Sequence, residues 1–221
     1  MAKKTTGGPG DGKAKRADAT RAALIDAAER LIAQKGLAHV STREILQEAG
    51  QRNQSALQYH FGSKNGLVRA TISERTHEID DRRLELMDSW VQEPTLREVV
   101  EALILPLAER AESDVRGRNY LIFLGQAITQ PDWDLRRAIK DFEITGLERA
   151  YLHYDRLMSH LDDDERIMRQ EIAYDVSVLT LKRWCLRDCP KNAHDVTNTI
   201  ADSAVAILDA KSEFWSGKRG K

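Results

Sequence analysis

Apolar residues recur at helical rather than strand spacing along almost the whole chain. Leu24, Ala27, Ala28, Leu31 and Ile32 mark one face of a helix predicted over residues 18–35, and Gly36 stands where a left-handed cap would end it. Ser41 and Glu44 have the spacing of a capping box, in which hydroxyl and carboxylate each satisfy a free backbone N–H. They open a second helix over 42–49, with Ile45, Leu46 and Ala49 inward and Gly50 closing it. A turn over 50–53 leads to a short third helix over 54–60. Ser63 is placed to cap a fourth over 64–91, with Leu67, Val68, Ile72, Ile79, Leu84, Met87 and Trp90 inward.

Beyond Pro94 the pattern continues. Thr95 and Glu98 repeat the capping box ahead of a helix over 96–111 that contains Pro106. A loop is predicted over 112–118, then a helix over 119–129 that is apolar nearly all round and so buried on several sides. One long helix is predicted over 132–159, another from the acidic run at 162–165 to about residue 187, and a last over 193–215. No strand alternation of useful length, internal repeat or heptad series appears. The expected fold is all-α: a three-helix N-terminal domain over 18–66 and a larger helical domain over 67–215, with a disordered basic arm at 1–17 and a tail at 216–221.

The third helix is unusual. Around two buriable positions, Ala56 and Leu57, stand Arg52, Asn53, Gln54, Ser55, Gln58, Tyr59 and His60. A merely solvated helix would more naturally carry Glu/Lys pairs one turn apart, yet nothing between Gln54 and His60 is acidic or a lysine or arginine. Two short helices joined by a tight glycine-containing turn behind a supporting helix make a helix-turn-helix. Its second helix lies in the DNA major groove, where base edges offer donors and acceptors, so its outer face is polar and its inner face needs only a small apolar anchor.

Charge agrees. The net charge is -1, but residues 1–70 carry 12 Lys/Arg against 6 Asp/Glu, which leaves the remainder acidic. A basic segment points to an anionic partner, nucleic acid or an acidic membrane surface, with a solubilising tail as the plain alternative. Two Cys and no apolar N-terminal run imply a reduced, cytoplasmic protein without a membrane span.

The stretches "TREILQEAG" and "SALQYHFGSKNGL", and more weakly "TRAALIDAAERLIAQKGL", resemble the TetR-type (TetR/AcrR-like) transcriptional regulators over about residues 20–69. The turn is one residue longer than in many members, and polar Gln51 replaces a usual apolar residue. The resemblance implies that Thr42 and Arg43 touch phosphate or the groove edge, that Gln54, Ser55, Gln58, Tyr59 and His60 line the recognition surface, and that Lys64 meets a phosphate. Which of Arg52, Asn53 and Gln54 faces the bases stays open. So does His60, as a phosphate contact or as a residue closing the helix with Phe61. Gln and Asn can pair bidentately with adenine and Arg52 with guanine, whereas Lys64 is a point charge suited to the backbone.

By the same resemblance the C-terminal body dimerises through its last two long helices and encloses a ligand pocket. Polar-tipped or aromatic residues among apolar neighbours are the pocket candidates: Tyr120, Phe123, Gln126, Trp133, Phe142, Tyr151, Tyr154 and Trp184. Each has plain core packing as its alternative. Interface candidates are Val176, Val178, Leu179, Leu181, Val205, Ile207, Leu208 and Phe214, again with intramolecular packing as the alternative. Catalytic chemistry is not evident. Cys185, Cys189 and His194 lack a fourth zinc ligand, His153 and His160 lack a carboxylate partner at metalloenzyme spacing, and the acidic run lacks an EF-hand's glycine and alternating ligands. No phosphate loop or nucleophile elbow appears. The reading is therefore a non-enzymatic regulator, without cofactor or metal. It would be a homodimer that binds a palindromic double-stranded DNA operator and acts as a repressor released by a small-molecule effector. The alternative is an architectural DNA-binding protein without effector.

Overall fold

The computed structural model describes residues 11–211. Over these residues the chain is all-helical: α1 (Asp11–Lys35), a 3-10 turn (Leu37–His39), α2 (Thr42–Glu48), α3 (Ala56–Phe61), α4 (Lys64–Asp88), α5 (Leu96–Ser113), α6 (Val115–Ala127), α7 (Leu135–Phe142), α8 (Thr145–Leu157), α9 (Asp163–Cys185) and α10 (Ala193–Leu208). No described helix is long and apolar enough to cross a membrane. The chain divides into two compact units within α4, between Arg75 and Thr76. The first ten residues of the expected basic arm, the tail and Phe214 lie outside the described residues.

In the first unit α1 packs on α2 and α3 through Leu24, Ala27, Ala28, Leu31 and Ile32, all buried, against Ile45, Leu46, Ala56 and Leu57. α1 begins at Asp11, inside the segment read as an arm, so Lys13, Lys15 and Arg16 are exposed on a helix. The buried stretch supplies the nucleus, and alanine, lysine and arginine extend it at little cost although they bury nothing. The first half of α4 is tied to α1 by a buried ion pair: Arg75 Nε donates to Glu29 Oε2 at 2.8 Å and Nη2 to Asp26 Oδ1 at 2.5 Å. Arg75 and Glu29 are both buried, a pairing that apolar periodicity cannot reveal.

In the second unit α5 lies against α6, α8 and α10, while α9 packs on α6 and α10. Both expected capping boxes form, Ser41 with Glu44 and Thr95 with Glu98. Three expectations need correcting. The last helix ends at Leu208 and not at residue 215. The loop over 112–118 shrinks to Asp114, whose extended backbone separates α5 from α6 and whose carboxylate accepts from Gly117 N–H at 2.7 Å. The single helix over 132–159 is two helices, broken where Glu143 turns left-handed at φ 53° and Ile144 becomes extended. Ile144 offers α8 no side-chain cap. Asp80 on α4 serves instead, its Oδ2 accepting from Gly146 N–H at 2.7 Å. A Cβ on Gly146 would lie 2.4 Å from Asp80 Oδ1, so only glycine admits this approach.

Candidate nucleic-acid interface

The surface is built by how α2 ends and α3 begins. Gly50, at φ 66°, lets its own N–H reach Gln47 O at 3.0 Å and Gln51 N–H reach Leu46 O at 2.8 Å, the double bond of a Schellman end. The chain then turns through Arg52, Asn53 and Gln54, all exposed. Asn53 starts the next helix: its Oδ1 accepts from Ser55 N–H at 2.9 Å and its backbone oxygen from Ala56 N–H at 3.1 Å. That commits the Asn53 amide oxygen to structure and leaves Arg52 and Gln54 pointing to solvent. Together with Arg43, Leu46, Gln47, Gly50 and Gln51 they line an open cleft of about 400 Å³.

On α3, Ala56 and Leu57 are the buried anchor, while Ser55, Gln58 and Tyr59 share the opposite face. Tyr59 is 80% exposed, an arrangement that stability does not explain for so large an apolar ring. His60 is half-buried, edge-on to Tyr59 with ring centroids 5.0 Å apart and tilted against Phe61 at 6.0 Å. The Arg21 guanidinium lies 5.5 Å from the Phe61 ring and also pairs with Glu74, so the end of α3 is held from α1.

The structure separates the basic side chains that sequence lumps together. Arg30 is paired with Glu48 at 2.6 Å and Lys35 with Glu44 at 2.8 Å. Lys64, at the start of α4, is half-buried, and its Nζ donates to Leu37 O at 2.6 Å and Val40 O at 2.5 Å. Burial lowers its pKa, with Glu44 opposing. An ammonium has three N–H groups, so a phosphate can take the third while the other two fasten α4 to the turn after α1. Ser63 caps α4, its hydroxyl accepting from Gly66 N–H at 2.9 Å. Thr42 and Arg43 are exposed at the start of α2. Among the described residues Arg43 and Arg52 have no carboxylate partner, so the uncompensated positive charge of this surface gathers at the cleft beside α3. Sequence reasoning did not assign Gln47 and Gln51 to this surface. Gln47 stands one turn after Arg43 on α2, which was the available signal.

Residues 24–71 match the sequence model of the family described as bacterial regulatory proteins, tetR family. That match places the helix-turn-helix in the TetR family. Its members are DNA-binding transcriptional regulators and not enzymes, and the helix-turn-helix described above is the family's DNA-binding domain. No curated protein matches the chain in sequence. Among solved structures, the chain is similar to the fatty acid degradation regulator FadR from Bacillus halodurans (15% identity, covering 86% of this chain and 99% of that one, TM-score 0.58). It is similar also to a putative tetR family regulator from Shewanella sp. PV-4 (15%, 86% and 95%, TM-score 0.59). FadR from Bacillus subtilis in complex with stearoyl-CoA is comparably similar (16%, 86% and 99%, TM-score 0.58). At these identities the likeness is one of fold.

The sequence-derived pocket candidates in the C-terminal body scatter over four helices and the turn between α6 and α7. Tyr120 and Phe123 are buried on α6 with rings 6.5 Å apart, and the Tyr120 hydroxyl shares a 3.2 Å hydrogen bond with Thr76 Oγ1. Tyr151 and Tyr154 are buried on α8, edge to face at 5.7 Å, with the Arg136 guanidinium 5.3 Å from the Tyr151 ring. Burial raises the pKa of both phenols, so they act as neutral hydroxyls. Trp184 on α9 has a structural duty, its Nε1 donating to Lys191 O at 3.1 Å across the turn to α10. Trp133, before α7, has a buried Nε1 without a hydrogen-bond partner. Gln126 and Phe142 are half-buried on α6 and α7. Periodicity did not single out Thr76, Asp80 and Arg83, polar residues buried on the second half of α4.

Proposed function

We propose that this chain is a homodimeric repressor that reads a pseudo-palindromic operator through α3 and leaves it when a small-molecule effector occupies the C-terminal body. The observation that carries the reading is the cleft face itself. It holds two arginines, Arg43 and Arg52, without carboxylate partners among the described residues, beside the exposed amides Gln54 and Gln58 and the exposed Tyr59. Arginine and glutamine at hydrogen-bonding reach are what guanine and adenine edges require, and Thr42, His60 and Lys64 surround them as phosphate-directed groups.

Dimerisation has support on α9. Met168, Ile172 and Val176, one turn apart in series, are 55%, 45% and 36% exposed and form an apolar stripe on its outer face. Of the interface candidates named from sequence, Val178, Leu181 and Leu208 are already buried in this protomer, and Leu179, Val205 and Ile207 are half-buried. A two-fold dimer places its two recognition helices roughly 34 Å apart, one turn of DNA. Effector release follows if the ligand prefers a conformation of the body in which that spacing is lost. Coupling of this kind is typically about 1–3 kcal/mol. The B. subtilis FadR, which is described with stearoyl-CoA, supports a ligand-holding use of this fold.

Selection of random duplex DNA by the purified protein at moderate salt, followed by sequencing, tests the reading. A palindromic consensus with half-sites about one helical turn apart is the expected result. Enrichment of nothing, with binding that vanishes as salt rises, would replace the repressor with an architectural DNA-binding protein.

A further inference from the structure

Arg83 is 2% exposed, on the second half of α4. Of its five N–H groups one is accounted for, Nη1 donating to Asp80 Oδ1 at 3.3 Å, and its Nε is buried without any partner. The contact to Asp80 is long for a charge-assisted hydrogen bond. Asp80 is also committed elsewhere, its Oδ2 accepting from Gly146 N–H at the N-terminus of α8, where the positive end of the helix shares the carboxylate's charge. Arg83 therefore has charge and donors left over in the interior of the body. Burial disfavours its cationic form, with the Asp80 carboxylate opposing, yet a guanidinium does not lose its proton in proteins. Its surroundings come from four helices: Asp80 on α4, Tyr120 on α6, Gly146 on α8 through Asp80, and Tyr174 on α9. A buried ion with one poor partner is costly to hold, and buried groups so perturbed cluster at functional sites.

We propose that Arg83 anchors the effector, and that the effector is an organic anion with a carboxylate head and an apolar body. The carboxylate takes Nε–H and the adjacent Nη2 N–H of Arg83 as a bidentate pair, the geometry that a guanidinium offers a carboxylate. The apolar remainder lies along the buried aromatic face of α6 that carries Tyr120 and Phe123. This inference rests on the reading of the C-terminal body as an effector domain.

The test titrates the full chain with straight-chain and phenyl-terminated carboxylates, each beside its matching primary alcohol, while following arginine Nε–H resonances and the melting midpoint. The Arg83 resonance, assigned by its loss in Arg83→Gln, moves with at least one carboxylate and not with its alcohol. Arg83→Gln weakens that carboxylate by about tenfold or more. Asp80→Asn keeps an oxygen for Gly146 N–H and removes the competing charge, so it strengthens binding, and it decides the matter if Arg83→Gln does not fold. A series in which no carboxylate moves the resonance, alcohols that bind equally well, or a carboxylate affinity indifferent to both substitutions would overturn the anchor. Release of selected operator DNA is measured separately with the bound carboxylate. Binding at Arg83 without release leaves the anion site standing and removes its effector role.

Discussion

Lys64 and Arg52 look alike in the sequence, two basic residues flanking a recognition helix, and the structure gives them different work. Arg52 is exposed in the cleft, whereas Lys64 also holds the carbonyls of Leu37 and Val40. Arg52→Ala is expected to leave the melting midpoint unchanged and to weaken DNA binding, with the salt slope falling by about 1 if the contact is to phosphate. Lys64→Ala should flatten the slope as well, but it also strips donors from two carbonyls and costs about 1–3 kcal/mol of stability. Urea unfolding beside salt titration separates the two; a Lys64→Ala protein as stable as the parent would refute the clamp. The chemical types of this surface were legible because hydrogen-bonding residues crowd around only two buried positions. The partners of Lys64 were not, because they lie 24 and 27 residues away on a turn that no local pattern positions.

Helix starts were legible wherever the cap is local. Ser41 with Glu44 and Thr95 with Glu98 were readable three residues apart, and so was Gly50 as a stop. The break between α7 and α8 was not, because its cap, Asp80, lies 66 residues earlier in the chain. The first capping box carries a pH dependence. The Lys35 ammonium, followed by the Ser41 N–H and hydroxyl, lowers the Glu44 pKa from 4.5 to about 2. A carboxyl held below its unfolded value contributes stability that is complete above about 4.5 and disappears as pH falls through about 2. The stability difference between the parent and Glu44→Gln should accordingly be constant near neutrality and shrink over that interval. A difference unchanged down to pH about 2 would mean that the carboxylate's charge contributes nothing to the helix start.

At the scale of the whole molecule, apolar periodicity identified α9 and α10 as long helices, but it could not divide their apolar residues between the protomer's own core and an outer face. Val178 and Leu181 are fully buried, while Met168 and Ile172, which the sequence reading did not propose for an interface, are exposed. Ile172→Glu places a charge in the middle of the exposed stripe without touching the core. It is expected to yield a folded monomer by analytical ultracentrifugation, with operator affinity lowered far more than affinity for a single half-site. A dimer that survives Ile172→Glu would remove α9 from the interface. The buried charges Arg75, Glu29 and Asp80 share one difficulty for sequence reading, since a charged residue at a helical position looks solvated until a partner from another helix is seen.

The central claim is that the polar face of α3 reads base sequence. Its most direct test is the affinity of Gln58→Ala for the selected operator and for a scrambled duplex at one salt concentration. The operator is expected to lose about 1–3 kcal/mol, with preference relaxed at particular base pairs, while the scrambled duplex is bound as before. Equal losses on both duplexes would contradict base reading by α3.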